Sequence, residues 1–222
     1  MISLSDIKKK ANPGYKIRGQ ILDYEIPLKR DEIFEKFMES YSVYYNITRY
    51  DRKNGTSDSS PAEGATPRTD SEAEAAGFDA EAVFDSKGEQ YFLIKAAKVA
   101  EVNTAEYVYF KKIGKLTADV LRKLDEKAWE LGISHVNPSP GHKNTDAVLI
   151  VVAESIDEDA RALIKSLKHS KNYRLALHGY SNYRLVAVEA SEGRAYFNKQ
   201  ACILMGLVGN ILVRKSETSD RA

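Results

Sequence analysis

The 222 residues are 43% hydrophobic and 29% charged with a formal net charge of +1, which excludes a mini-protein and a wholly disordered chain and leaves one domain, or one domain plus a small appendage, with a real core. The single cysteine, Cys202, excludes a disulfide framework and a thiolate zinc site. Within its apolar run Ala201 to Leu204 it reads as a small buried hydrophobe in a reducing compartment.

The first ten residues, MISLSDIKKK, are too polar for a secretion signal, so a cytoplasmic location is expected. Residues 1–53 are expected to supply the first helix of the domain. From Asp31 to Tyr45, Ile33, Phe34, Phe37, Met38, Tyr41, Tyr44 and Tyr45 recur at helical steps, and Asp31 and Glu32 sit where the positive helix end favours acids. Tyr41, Tyr44, Tyr45 and Tyr50 suggest a stacking platform, but aromatics at this spacing pack on a sheet, and a core role is the expectation. Residues 54–77, from Asn54 to Gly77, hold no large apolar side chain and read as a flexible, disordered insert. The insert carries five acids against Arg68, a net of −4, so the remainder carries +5 within the total of +1. That excess is small for a nucleic-acid binder.

The main α+β domain is expected over 78–213. Phe78 to Phe84, Gln90 to Val99 and Glu106 to Lys112 favour strands, with Asp85 to Gly88 as a turn between the first two. Thr117 caps a helix to Leu131, with Leu116 stapled onto Leu121, Trp129 docking it and Gly132 as a stop. Ala147 to Ala153 is a continuous β-branched run without alternation, as a central strand covered on both faces requires. Ser155 and Glu158 suggest a capping box for a helix over 156–168, whose end gathers Lys165, Lys168, His169 and Lys171. Tyr173 to Leu177, Tyr183 to Glu189 and Arg194 to Asn198 read as strands. A final helix spans Ala201 to Leu212 within an apolar stretch of thirteen residues, short of the roughly 20 that a membrane crossing takes. Being apolar almost all round, it either closes the core or pairs with a second copy as a homo-oligomer contact. Residues 214–222 read as a disordered tail.

No complete catalytic, metal or cofactor constellation emerges. The element order resembles that of restriction-nuclease-like folds, but Glu106 and Lys111 are five apart and face opposite sides of a regular strand. Ser181 lacks the second glycine of a nucleophile elbow, because position 183 is Tyr. His135, His142, His169 and His178 show no paired spacing. Asp146 and Glu154 flank the central strand as a turn cap and a strand-end charge. The remaining candidates are Lys168, Lys171, Arg174, His178, Tyr180 and Arg184, which with His169 offer donors to an anionic ligand and a flat ring beside them.

From about Phe34 to Gln200 the chain resembles an uncharacterised bacterial domain of unknown function. The resemblance is carried by Tyr41 to Asn46, Phe78-Asp79, Tyr91-Phe92-Leu93, Thr145 to Leu149, Ser170 to Tyr173 and Leu177-His178-Gly179, with Tyr180 where a tryptophan is expected. It implies a single domain and brings no substrate, cofactor or catalytic residue. The sequence therefore predicts an α+β fold: a mixed β-sheet with flanking helices, interrupted by a disordered insert after the first helix. Its expected role is a non-enzymatic binding or regulatory module. The alternative is a nucleic-acid-processing or other hydrolytic enzyme built from Asp146, Glu154, Lys171 and His178.

Overall fold

The computed structural model describes residues 15–24, 28–50, 72–85 and 103–213. In chain order these form β1 (Tyr15–Arg18), β2 (Ile21–Tyr24), α1 (Arg30–Ser42), β3 (Asn46–Arg49), α2 (Glu72–Ala75), β4 (Ala80–Asp85) and β5 (Asn103–Leu116). There follow α3 (Ala118–Ser134), β6 (His142–Ile156), α4 (Glu158–Ser166), β7 (Ser170–Asn172), β8 (Tyr180–Glu189), β9 (Arg194–Phe197), a 3-10 turn at Lys199–Leu204 and α5 (Met205–Val213). The strands make one mixed sheet in the order β1-β2-β9-β8-β6-β5-β4-β3, with β7 paired to the first half of β8.

At its centre β5, β6 and β8 run parallel, as chain crossings through α3 and α4 demand. The β-branched run of β6 lies between the other two and is buried from Thr145 to Ala153, as its lack of alternation predicts. Its even-numbered residues, Val148, Ile150 and Val152, face α1 and α5 together with Val108, Phe110 and Val186. Its odd-numbered residues, Ala147, Leu149 and Val151, face α3 and α4 together with Tyr109 and Leu185. Phe34, Phe37 and Tyr41 of α1 all meet the Phe110 ring, and each buried ring contributes about 1.5–3 kcal/mol. Asn198, fully buried, ties the last turn to the sheet: its side-chain oxygen accepts from Leu185 N and Ala201 N, and its amide donates to the Leu167 and Tyr183 carbonyls.

Several boundaries depart from expectation. Gly132 does not stop α3, which runs two residues further to Ser134; a Cβ there would lie 2.4 Å from the Ala147 Cβ, so this glycine admits close helix-to-strand approach. Ser155 and Glu158 form no capping box. β6 extends to Ile156 and Asp157 takes the cap position, so Lys168, His169 and Lys171 lie beyond the helix. α1 ends at Ser42, which places Tyr44 and Tyr45 after it. The final helix begins as a 3-10 turn, and its Met205, Val208, Ile211 and Leu212 close the core on α1. Short β1, β2 and β3 were not foreseen. Of the expected insert, 54–71 lies outside the described residues, whereas Glu72–Ala75 are helical and Ala73 is buried, against the expectation for that part. The Gln90 to Val99 strand, the turn from Ser86 onward and residues 214–222 also lie outside the described residues.

The largest correction concerns Tyr173 to Leu177. Its alternation suggests a strand, yet Arg174, Leu175 and Ala176 have φ of 47°, 53° and 67° and form a left-handed turn between β7 and β8. Each such non-glycine residue costs about 1–2 kcal/mol. The turn is held from below. Tyr173 N donates to Gly179 O (3.0 Å), His178 N donates to Tyr173 O (3.1 Å), and the buried Tyr173 hydroxyl meets Ser181 Oγ at 3.1 Å. Gly179, at φ +81°, sits so close to His142 that an added Cβ would fall 2.5 Å from its Nδ1.

Candidate functional site

Register brings one polar row into this apolar sheet. Glu106, Asp146 and Asn182 are side-by-side partners on β5, β6 and β8 and project to the α1 face; Arg184 is two residues along on the same face. Its guanidinium reaches back to Glu106 Oε2 and Asp146 Oδ2, both at 2.8 Å. Asn144 and Asn182 donate to the two oxygens of Asp146 at 3.2 and 3.4 Å. On the other side, the Tyr45 hydroxyl donates to Glu106 Oε1 at 2.9 Å.

Tyr45 reaches this position because α1 stops one turn earlier: the amides of Tyr44 and Tyr45 both donate to the Tyr41 carbonyl, and the chain then bends into β3. The Tyr45 ring packs 4.9 Å from Tyr41 and 5.7 Å from Phe84, centroid to centroid. Between these rings and the last turn opens a cavity of about 160 Å³, walled by Tyr41, Tyr44 and Tyr45, floored by Glu106 and closed by Leu204 and Leu207. Tyr41 is among its lining residues, and its hydroxyl is buried. That residue is 4% exposed, and the hydroxyl has no hydrogen-bond partner among the described residues.

The electrostatics are unbalanced. Two carboxylates share one guanidinium, a net of −1 in a half-buried site. Burial raises the Glu106 pKa above the ordinary carboxylate value, against the pull of Arg184 and of the Tyr45 hydrogen bond, and the Asp146 charge adds to the rise. Burial and the Glu106 charge likewise push the Tyr41 and Tyr45 phenols up, so both rings are neutral at physiological pH. The cavity thus sets a carboxylate that shares its guanidinium with a second acid beside three tyrosine side chains.

A second hollow of about 590 Å³ lies between the start of α3 and α4; of its four charged lining residues, Arg122 pairs with Asp119 at 2.7 Å and Asp157 with Lys115 at 3.0 Å, while Asp159 adds a further acid.

Of the sequence-derived candidates, Lys168 is exposed after α4, Lys171 lies on exposed β7 with its ammonium 5.5 Å from the Tyr173 ring, and Arg174 sits in the left-handed turn. Tyr180 opens β8 and is 37% exposed, and the His178 carbonyl accepts from the His142 ring at 2.7 Å. These belong to one hairpin. Arg184 leaves them for the inner face and its two acids. His169 is held by buried Asp125 at 2.7 Å and stacks on Trp129, which docks α3 as expected. Asp146 and Glu154 are eight residues apart on one strand, about 26 Å, so these two members of the enzyme alternative do not share a cleft. Glu106 and Lys111 do face opposite sides, Lys111 turning to Asp79. Sequence reasoning passed over Tyr41, Tyr45 and Glu106 as site residues. The available signal was a lone acid or base opening each apolar strand: Glu106 before Tyr107 to Phe110, Asp146 before Ala147 to Ile150, and Arg184 before Leu185 to Val188.

The profile of the domain of unknown function DUF8052 matches residues 29–205, and the chain belongs to that family. The matched span includes every residue of the tyrosine-lined cavity except Leu207. No curated protein and no solved structure matches the chain.

Proposed function

We propose that this domain is a non-enzymatic binding module whose tyrosine-lined cavity takes a protonated amine headgroup. The observation that carries the reading is that Glu106, which shares its one guanidinium with Asp146, floors a cavity walled by three tyrosines. A positive ligand would supply the second positive charge, its N–H groups donating to Glu106 beside the tyrosine rings. At about 160 Å³ the cavity is smaller than the 300 Å³ and more of drug-sized sites, so it fits a headgroup or a side-chain end.

Calorimetric titration with n-butylammonium and with acetate tests this. The amine is expected to bind and acetate is not. Glu106→Gln is expected to weaken the amine at least tenfold, the value of a charge-assisted hydrogen bond of about 1.5–3 kcal/mol. Affinity should fall as pH drops through the raised Glu106 pKa, because the protonated acid no longer attracts a cation. Acetate binding as tightly as the amine, or a Glu106→Gln variant that binds unchanged, would refute the assignment.

A further inference from the structure

The left-handed turn at Arg174–Ala176 has a use that nothing inside the molecule explains. Its neighbours Leu175 and Leu177 are 96% and 77% exposed, so neither leucine contributes to the core. A loop free to relax would fold such side chains back, yet this one is held in an unfavourable backbone conformation by buried Tyr173, by Gly179 against His142, and by two crossing backbone hydrogen bonds. The result is a rigid finger presenting two aliphatic tips.

The charge along the finger's own chain has one sign. From Lys168 to Arg184 there is no acid, and Lys168, Lys171 and Arg174 are exposed. The adjoining loop and the start of β6, 137–145, also lack acids; exposed Lys143 of β6 has its carbonyl packed against Gly179 at the base of the finger. Exposed leucines beyond a collar of cations match a bilayer interface, where apolar tips enter the acyl boundary and ammonium and guanidinium groups meet anionic headgroups. We infer that the β7–β8 finger docks the domain on an anionic phospholipid surface, with Leu175 and Leu177 inserted and Lys143, Lys171 and Arg174 at the phosphates. This site is separate from the tyrosine cavity, and neither reading depends on the other.

Sedimentation of the full chain with vesicles of pure phosphatidylcholine and with vesicles containing 30% phosphatidylserine tests the inference. Binding is expected only to the phosphatidylserine vesicles, and it should weaken as salt rises. Neutralising Lys171 or Arg174 should lower partitioning about fivefold each, from about 1 kcal/mol per cation near such a surface. Leu175→Asp with Leu177→Asp should abolish binding while leaving the melting temperature unchanged, since both side chains point to solvent. Failure to bind the phosphatidylserine vesicles at low salt overturns the inference and leaves the finger to a protein groove. Undiminished binding by the double aspartate variant overturns it equally, because the attraction would then be charge alone.

Discussion

Two carboxylate clusters sit at opposite ends and on opposite faces of the central strands, and they differ in how completely they are satisfied. At the far end of β8, Glu189 is 1% exposed and every acceptor is used: Oε1 takes Ile156 N and the Arg161 guanidinium, both at 2.8 Å, and Oε2 takes the Tyr196 hydroxyl at 3.1 Å. One acid meets one base. At the near end, Glu106 and Asp146 share Arg184, and a cavity opens over Glu106. Burial alone does not mark a site, since the better-buried acid is the structural one. Charge imbalance beside empty space does.

The sharpest test of the contrast is removal of the satisfied acid. Glu189→Ala strands a buried amide, a hydroxyl and a guanidinium together, and about 3–5 kcal/mol of stability should be lost at neutral pH, read by chemical denaturation. Arg184→Met should cost about 3 kcal/mol at neutral pH by leaving two carboxylates facing each other. That second loss should shrink on acidification, because Glu106 takes up a proton. A loss independent of pH would mean that the two clusters are alike after all.

Glu106→Gln should move stability least, by under about 1 kcal/mol, since an amide keeps contacts to Tyr45 and Arg184. Its signature lies in the pH profile. Glu106 holds its proton more tightly folded than unfolded, so the native protein gains stability as pH falls through the raised pKa, and the gain is complete below the ordinary carboxylate range. The variant lacks that gain. A denaturation series from neutral to acidic pH in which the two proteins run parallel would show Glu106 to be as well compensated as Glu189.

Parts of the fold were legible because local chemistry and tertiary demand agree. Thr117 accepts from Val120 N and opens α3, the stripe of α1 packs on Phe110, and β6 is buried on both faces as its composition requires. Elsewhere they conflict. Tyr173, Leu175 and Leu177 alternate like a strand, but Tyr173 anchors a turn whose leucines point outward, and only the packing of Gly179 under His142 decides between the two. β1 and β3 are four residues long with mostly exposed side chains, so they carry little apolar pattern. Arg184 read as an anion donor because its sequence neighbours are basic. Of the two acids it meets, Glu106 is 78 residues away.

The sequence by itself determined the mixed sheet, its central strand and most of its helices, because periodicity and capping act within a few residues and leave their mark in composition. Tertiary structure alone decided which charges meet. Strand register set Glu106, Asp146 and Arg184 on one face and the end of α1 placed Tyr41 and Tyr45 above them, long-range alignments that no local propensity encodes.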